Sequence, residues 1–250
     1  MNARFYVPQA EGGGQIVALP EDEAQHLTRV LRLKAGAPIR VFDGRGREFD
    51  AVVEKAERSE VLVAVGPQQP PPAAEPRVTV TLVQAVLKGD KMDDVVRDAV
   101  MMGVAAIQPT ITAHTEVSLD ALTKGRRQER WQKIAVASAK QCGRAIVPEI
   151  LTPCEFELIP PALADMAVPG PVLMLVEPGA AIMSVAIHEL EPGPPSQAMV
   201  MVGPEGGWTP REIESTSMMC LPVTLGTRTL RADAIPVIAL SALFTIWKEF

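Results

Sequence analysis

Two glycine-bearing stretches in the last third of the chain hold residue types suited to seizing a small ligand. Val200-Met201-Val202 runs into Gly203-Pro204-Glu205-Gly206-Gly207-Trp208, and Pro222 to Leu225 runs into Gly226-Thr227-Arg228-Thr229-Leu230-Arg231. Glycine tolerates positive φ and bares backbone N–H and C=O groups. Each stretch therefore reads either as an ordinary tight turn or as a loop whose main chain faces a ligand. A third of the same kind, Glu177-Pro178-Gly179, follows the apolar run Val172 to Val176. Ligands of open α/β sheets sit outside the carboxyl ends of strands, where all three stretches fall, and three loops at one sheet edge could enclose a flat molecule. Trp208 beside the first loop is either a lid or a packing anchor.

Other chemistries lack their residues. There is no GxxxxGK[ST] and no GxGxxG after a strand, which disfavours phosphate cradling. No GxSxG elbow is present, and His26, His114 and His188 lie apart from one another and from any cysteine nucleophile, so triad hydrolysis has no support. Cys142, Cys154 and Cys220 form no CxxC pair and have no histidine at ligand spacing, so neither a metal site nor a disulfide framework is expected.

The elements that must hold the loops follow from periodicity. Val78 to Val86 is a nearly continuous apolar and β-branched run, as in a strand buried on both faces. Met92, Val95, Val96, Ala99, Val100 and Met102 recur at helical spacing up to Gly103, and Val104 to Gln108 reads as the next strand. Further strands are expected at Ala145 to Ile150, Val172 to Val176, Ala198 to Val202 and Pro222 to Leu225. Helices are expected near Arg126 to Cys142 and Ala180 to His188. The alternation implies an α/β domain with a mostly parallel sheet flanked by helices. Thr209, Pro210 and Glu212 supply an N-cap, an N1 proline and an N3 glutamate, a capping box that starts a helix to Cys220. Asp233 to Phe250 reads as a terminal helix apolar on nearly every side, which something must cover; a second subunit would do so.

Gly66 to Pro76 holds five prolines in eleven residues and reads as an extended linker. Before it, short alternating runs around Ile39–Phe42, Phe49–Val53 and Val61–Val65, separated by Asp43–Gly46 and a charged turn near Arg58-Ser59, read as antiparallel hairpins of a small β-barrel. The expected domains are residues 1–70, a proline-rich linker at 71–76, and 77–250.

The 250 residues are 47% apolar and 22% charged, as in folded globular chains, and no window of 18 apolar residues runs free of charge and proline. No secretory leader is visible in MNARFYVPQAEGGG, so the expected location is the cytoplasm, with no membrane partner. Net charge is −6, yet Gln25 to Arg47 carries six positives, Arg29, Arg32, Lys34, Arg40, Arg45 and Arg47, against Asp43 alone. This stretch is either a solvated charged face or a polyanion contact. Arg29 and Arg32, three apart, would share one helical face, and Arg45 and Arg47 would sit on a hairpin tip.

VGPEGGWTPREIE followed by LGTRTLRADAI resembles the signature of the bacterial 16S rRNA uridine N3-methyltransferase family within the SPOUT superfamily. HLTRVLRLKAG, QAVLKGDKMDDVVRDAVMMGV and AKQCGR agree with it in order across both domains. The resemblance implies a PUA-like N-terminal RNA-binding barrel, a SPOUT domain with a deep trefoil knot, a homodimer, S-adenosylmethionine as cofactor, and 16S rRNA within an assembled small ribosomal subunit as substrate. It places the cofactor against Leu175 and Glu177, against Gly203, Glu205 and Gly206, and against Leu225, Gly226, Leu230 and Arg231. Where the family commonly has LR-x-E-T-A, this chain reads Leu230-Arg231-Ala232-Asp233-Ala234. A shorter carboxylate stands there and a hydroxyl is lost.

On that resemblance, uracil N3 attacks the donor methyl in line, and the protein positions both reactants and helps N3 lose its proton. Arg231, with Arg228 as neighbour, would stabilise the charge spreading onto the ring carbonyls, and Asp233 is the carboxylate nearest in sequence to take the proton. An ion pair at a helix end is the other reading of these arginines. Arg29, Arg32, Lys34, Arg45 and Arg47 would contact RNA, whose binding should weaken steeply with salt. A different RNA nucleoside, in tRNA or at a ribose 2′-hydroxyl, or a module that binds RNA without turnover, are the competing functions.

Overall fold

The computed structural model describes residues 2–57, 60–165, 170–190 and 193–249; the turn expected at Arg58-Ser59 and the final residue Phe250 lie outside them. The chain separates into two compact units, one of residues 1–75 with 136–147, the other of 76–135 with 148–250.

In the first unit five strands, Arg4–Tyr6, Pro38–Phe42, Glu48–Ala56, Val61–Gln69 and Ile16–Ala18, form one sheet in that spatial order. All its pairs are antiparallel except the first, Arg4–Tyr6 with Pro38–Phe42. Every strand sends side chains into one core containing Phe5, Val17, Ile39, Val41, Phe49, Val53 and Val63, so the sheet curls around it. The last long strand continues into the proline-rich stretch as far as Gln69, whose side-chain amide donates to Asp50 Oδ2 at 2.7 Å. The residues AKQCGR belong to this unit. Arg4, buried, pairs with Glu48 at 2.8 Å and donates to the carbonyls of Lys140 (2.7 Å) and Arg144 (3.0 Å). Arg144 in turn grips Glu75 at 2.6 Å, and Lys140 reaches Glu23 at 2.6 Å. Of the expected strand Ala145 to Ile150, only Glu149–Ile150 forms; Val147 N donates instead to Gly44 O within the first unit.

The second unit is a sheet of eight strands, every pair parallel. Its order is Ala181–Ile182, Leu221–Thr224, Val172–Leu175, Gln197–Val202, Thr79–Ala85, Ala106–Ile111 and Glu149–Ile150, with Cys154–Glu155 also pairing to Ala106–Ile111. The expected amphipathic helix forms as Lys91–Met102, burying Met92, Val95, Val96, Ala99 and Val100, and ends at Gly103, whose φ of 109° a side chain would resist. The helix after the capping box is shorter than expected, Pro210–Thr216. Ser215, Thr216 and Ser217 turn their hydroxyls back onto the carbonyls of Glu212, Ile213 and Glu214, competing with the backbone N–H groups that would extend the helix. The terminal helix, Ile235–Ile246, is likewise shorter; it buries Pro236, Ala239, Leu240, Leu243 and Phe244 and packs on Lys91–Met102. Beyond its last turn Lys248 takes a φ of 58°, which no helix can continue through. No helix among the described residues is long and apolar enough to cross a membrane.

Candidate functional site

Three adjacent parallel strands, Leu221–Thr224, Val172–Leu175 and Gln197–Val202, end side by side, and the three glycine-bearing loops leave from their carboxyl ends. Between them lies a cavity of about 340 Å³. Of the residues singled out for a cofactor, Leu175, Glu177, Gly203, Glu205, Leu225 and Leu230 line it, while Gly206, Gly226 and Arg231 do not. Val176, Trp208, Ile213, Ala232 and Ile235 complete much of its apolar wall. Sequence reasoning passes over Ile213 and Ile235 because they belong to the helices that follow the loops; the first turn of a helix capped directly after a glycine loop is the available signal.

The glycines have different reasons to be glycine. A β-carbon on Gly203 would meet Trp208 at 3.1 Å, so the strand end and the indole are in close contact. One on Gly206 would meet His114 Cβ at 2.9 Å, on a side other than the cavity. Gly226 has nothing near its missing side chain but holds φ at 122°, a bend that side chains resist. Trp208 proves to be both wall and anchor: its indole N–H donates to Leu175 O at 2.9 Å, and its ring lies 5.3 Å from that of Phe156.

Glu212 fixes the loop from behind. Buried to 7% exposure, it accepts from Thr209 N (2.7 Å), from the Thr209 hydroxyl (2.8 Å) and from Ala113 N (2.9 Å), completing the expected capping box and tying a second loop to it. Glu212→Ala should therefore lower stability by about 1–3 kcal/mol, since it removes a helix cap and the acceptor of two part-buried backbone N–H groups, those of Thr209 and Ala113. Thermal unfolding of the variant checks this, and a loss under about 0.5 kcal/mol, the scale of an ordinary surface change, would contradict the bridging role.

Charges ring the cavity unevenly. Glu205 is held by Lys91 at 2.6 Å; burial opposes its ionisation, but that hydrogen bond and backbone N–H groups outweigh it and keep the carboxyl below its usual range. Glu177 lines the cavity with no cation paired to it among the described residues. Arg228 also lines the cavity and is likewise unpaired among the described residues. Arg231 is three-quarters exposed and is gripped by Asp233 through two bonds, 3.0 Å and 2.7 Å. The hydrogen bond from Arg231 holds the Asp233 carboxyl below the usual range. The structure thus separates the two arginines, one in the cavity wall and one outside it.

No histidine, lysine or cysteine appears in the described lining. Burial pushes the Cys220 thiol up to about 11 and raises Cys154, so neither is a thiolate at neutral pH. No cluster of metal-ligating side chains occurs among the described residues. A cavity of this size, with apolar walls, two carboxylates and one arginine but no phosphate cradle, suits a small charged ligand with a flat apolar part.

The basic stretch of the first unit divides as well. Arg45 and Arg47 sit on the expected hairpin turn, but both are bound to Asp43, at 3.4 Å and 2.7 Å. Burial works against the Asp43 charge, yet the hydrogen bond from Arg47 and the backbone N–H groups of Arg45 and Arg47 hold its carboxyl below the usual range. Arg29 and Arg32 do not share a helical face. The helix that begins at Glu21 closes with a wide turn, His26–Val30, in which Leu31 N donates to His26 O at 3.0 Å, and Arg32 then takes a φ of 52°. Arg29, Arg32 and Lys34 are exposed and pair with no carboxylate among the described residues.

Comparison with known proteins matches residues 74–244 to an RNA methyltransferase domain and residues 19–65 to an RNA methyltransferase PUA domain. The chain is 31% identical to the ribosomal RNA small subunit methyltransferase E of Neisseria gonorrhoeae solved bound to S-adenosyl methionine, with a TM-score of 0.87 over 99% of this chain and 98% of that one. It is 28% identical to a Legionella pneumophila methyltransferase solved with its cofactor SAM, at a TM-score of 0.87 over 98% of each. A ribosomal RNA small subunit methyltransferase E of Synechocystis is 29% identical over 228 residues, 90% of this chain and 71% of that protein.

Proposed function

The chain belongs to the RNA methyltransferase family, its PUA domain included, and from that premise we propose that it methylates N3 of one uridine of 16S rRNA on the assembled small ribosomal subunit. It is an S-adenosylmethionine-dependent rRNA methyltransferase; the relatives carry the name ribosomal RNA small subunit methyltransferase E, and the Neisseria one was solved bound to S-adenosyl methionine. The observation that carries the cofactor assignment is the cavity walled by three neighbouring strand-end loops. Its residues fit the group: Leu175, Leu225, Leu230, Ile213 and Trp208 offer apolar surface to an adenine. Glu177 and Glu205 offer negative charge to a molecule that carries a sulfonium and an ammonium.

When bound, the cofactor supplies a methyl group already activated by its positive sulfur. No protein nucleophile is needed, and the described lining holds no cysteine, lysine or histidine. Arg231, aligned by Asp233, stabilises negative charge on the uracil carbonyl oxygens as N3 gives up its proton to solvent water. Arg228 adds a second, unpaired cation at the cavity. Asp233 acts by orienting Arg231; a carboxyl held below its usual range is a weak proton acceptor. The first unit, taken as a PUA-like barrel, holds the RNA.

The same reading makes the protein a cytoplasmic homodimer with a deep trefoil knot near the C-terminus. Ile182, Val185 and Ile238, each 40–50% exposed, support the dimer as apolar surface that a second copy would cover. The test is transfer of labelled methyl from S-adenosylmethionine to small subunits lacking the modification, followed by nucleoside digestion and mass analysis. N3-methyluridine is the expected product; label in another nucleoside or on a ribose would overturn the substrate, and no label despite cofactor binding would overturn the reaction.

A further inference from the structure

We infer that the turn from Arg29 to Lys34 is the nucleic-acid contact of the first unit, with Val30 and Leu31 packing on unpaired bases and Arg29, Arg32 and Lys34 taking the flanking phosphates. The inference rests on the reading of the chain as an RNA-modifying enzyme and assigns the element that grips the RNA.

Three observations converge on this turn. Val30 and Leu31 are 66% and 40% exposed at adjacent positions, aliphatic surface that the unit's own core does not use. The three cations around them are unpaired among the described residues. The other positives of the basic stretch are already satisfied, Arg40 by Asp50 at 3.0 Å and Arg45 and Arg47 by Asp43. A stretch with six positive residues thus leaves three of them free, all on one turn, in a protein whose net charge is −6.

The turn is also built rather than loose. Leu27 is fully buried before it and Leu33 packs on the same core after it. Leu33 N donates to Leu27 O at 3.1 Å, and Gly36 N donates to Val53 O at 2.7 Å. Arg32 holds a left-handed φ of 52° that glycine would adopt freely and arginine does not. A charged side chain kept in an unfavourable backbone conformation points to use outside the fold. Widened helical turns likewise concentrate at functional sites. Aliphatic side chains flanked by cations complement a polyanion with splayed bases, the form in which RNA offers both base faces and phosphates.

The test measures binding of the full-length protein to small ribosomal subunits lacking the modification, across roughly 50 to 200 mM salt. Arg29→Ala/Arg32→Ala/Lys34→Ala should flatten the slope of log K against log salt by about 2 to 3, since three phosphate contacts are lost. Val30→Ser/Leu31→Ser should weaken binding about tenfold or more with the slope unchanged, because base packing releases no counterions. Arg32→Gly should keep the melting temperature of the parent while losing about one unit of slope; a clear fall in melting temperature would assign Arg32 a structural role instead. If the triple variant keeps the parental slope while the parent methylates the subunits, the inference fails and the enzyme reading stands. If the parent neither binds nor methylates them, the enzyme reading itself fails. A change of oligomeric state in Val30→Ser/Leu31→Ser with RNA binding intact would make the patch a protein contact and overturn the inference.

Discussion

Arg231→Ala is expected to slow methyl transfer by about 10²- to 10³-fold, the loss seen when one preorganised donor to a developing negative charge is removed. Affinity for S-adenosylmethionine should change little, because Arg231 lies outside the cavity lining and its side chain is 75% exposed. The two bonds to Asp233 use the Nε and Nη2 edge and leave the rest of the guanidinium fork to the nucleobase. Arg231→Lys keeps the charge but loses the fork, so its rate should fall between those of the parent and the alanine variant. Arg228→Ala lies in the cavity wall and should raise the cofactor Kd as well as slow the rate. Single-turnover transfer to small subunits, set beside calorimetric cofactor binding, separates these patterns. Unchanged turnover in Arg231→Ala would remove that residue from the mechanism.

The pH dependence follows from the same pair. The folded-state pKa of Asp233 is depressed, so its pairing with Arg231 is complete above the ordinary aspartate value of about 3.9 and is lost only as pH falls through the lower folded value. Between about pH 5 and 8 this carboxylate stays ionised and contributes no limb to the rate profile. With no histidine, cysteine or lysine in the described lining, the proposed transfer to uracil N3 would be governed by the proton on the nucleobase, and its rate should rise with pH. Asp233→Asn keeps an oxygen acceptor and removes the charge; a modest rate loss with the same pH profile would confirm a positioning role.

How far the sequence revealed this site depends on the range of each interaction. Thr209, Pro210 and Glu212 act within one helical turn, and their capping box could be read directly from the spacing. The second duty of Glu212, accepting from Ala113, spans 99 residues and left no local trace. The glycine loops were legible because strand, glycine and cap follow in order. Gly206, however, is required by the packing of His114, a contact that spacing cannot distinguish from a ligand's approach. In the first unit, alternation disclosed the hairpins, but not that residues 136–147 belong with them, since Arg4 binds carbonyls some 136 and 140 positions away. Counting charges found the basic stretch; only the positions of Asp43 and Asp50 decided which of its arginines stay free.

Gly203→Val should weaken S-adenosylmethionine binding by about 100-fold, equivalent to about 2.7 kcal/mol. Even the β-carbon would stand 3.1 Å from two atoms of the Trp208 ring, closer than the ring can tolerate without moving. Trp208 has little room to give, held by its bond to Leu175 O at 2.9 Å and by the Phe156 ring at 5.3 Å. The branched methyls must then displace the indole or enter the cavity that Gly203 lines. Overpacking on this scale costs about 1–3 kcal/mol, so the fold should survive with a melting temperature lower by several degrees. A double-mutant cycle isolates the cause. Trp208→Phe withdraws the ring atoms nearest Gly203 and gives up the bond to Leu175, so on its own it should weaken binding about tenfold at most. In that background Gly203→Ala should do less harm than it does in the parent, because the clash it creates is with atoms no longer present. Additive losses would place the effect of Gly203 elsewhere than at the indole, and parental affinity in Gly203→Val would show that this cavity is not where the cofactor binds.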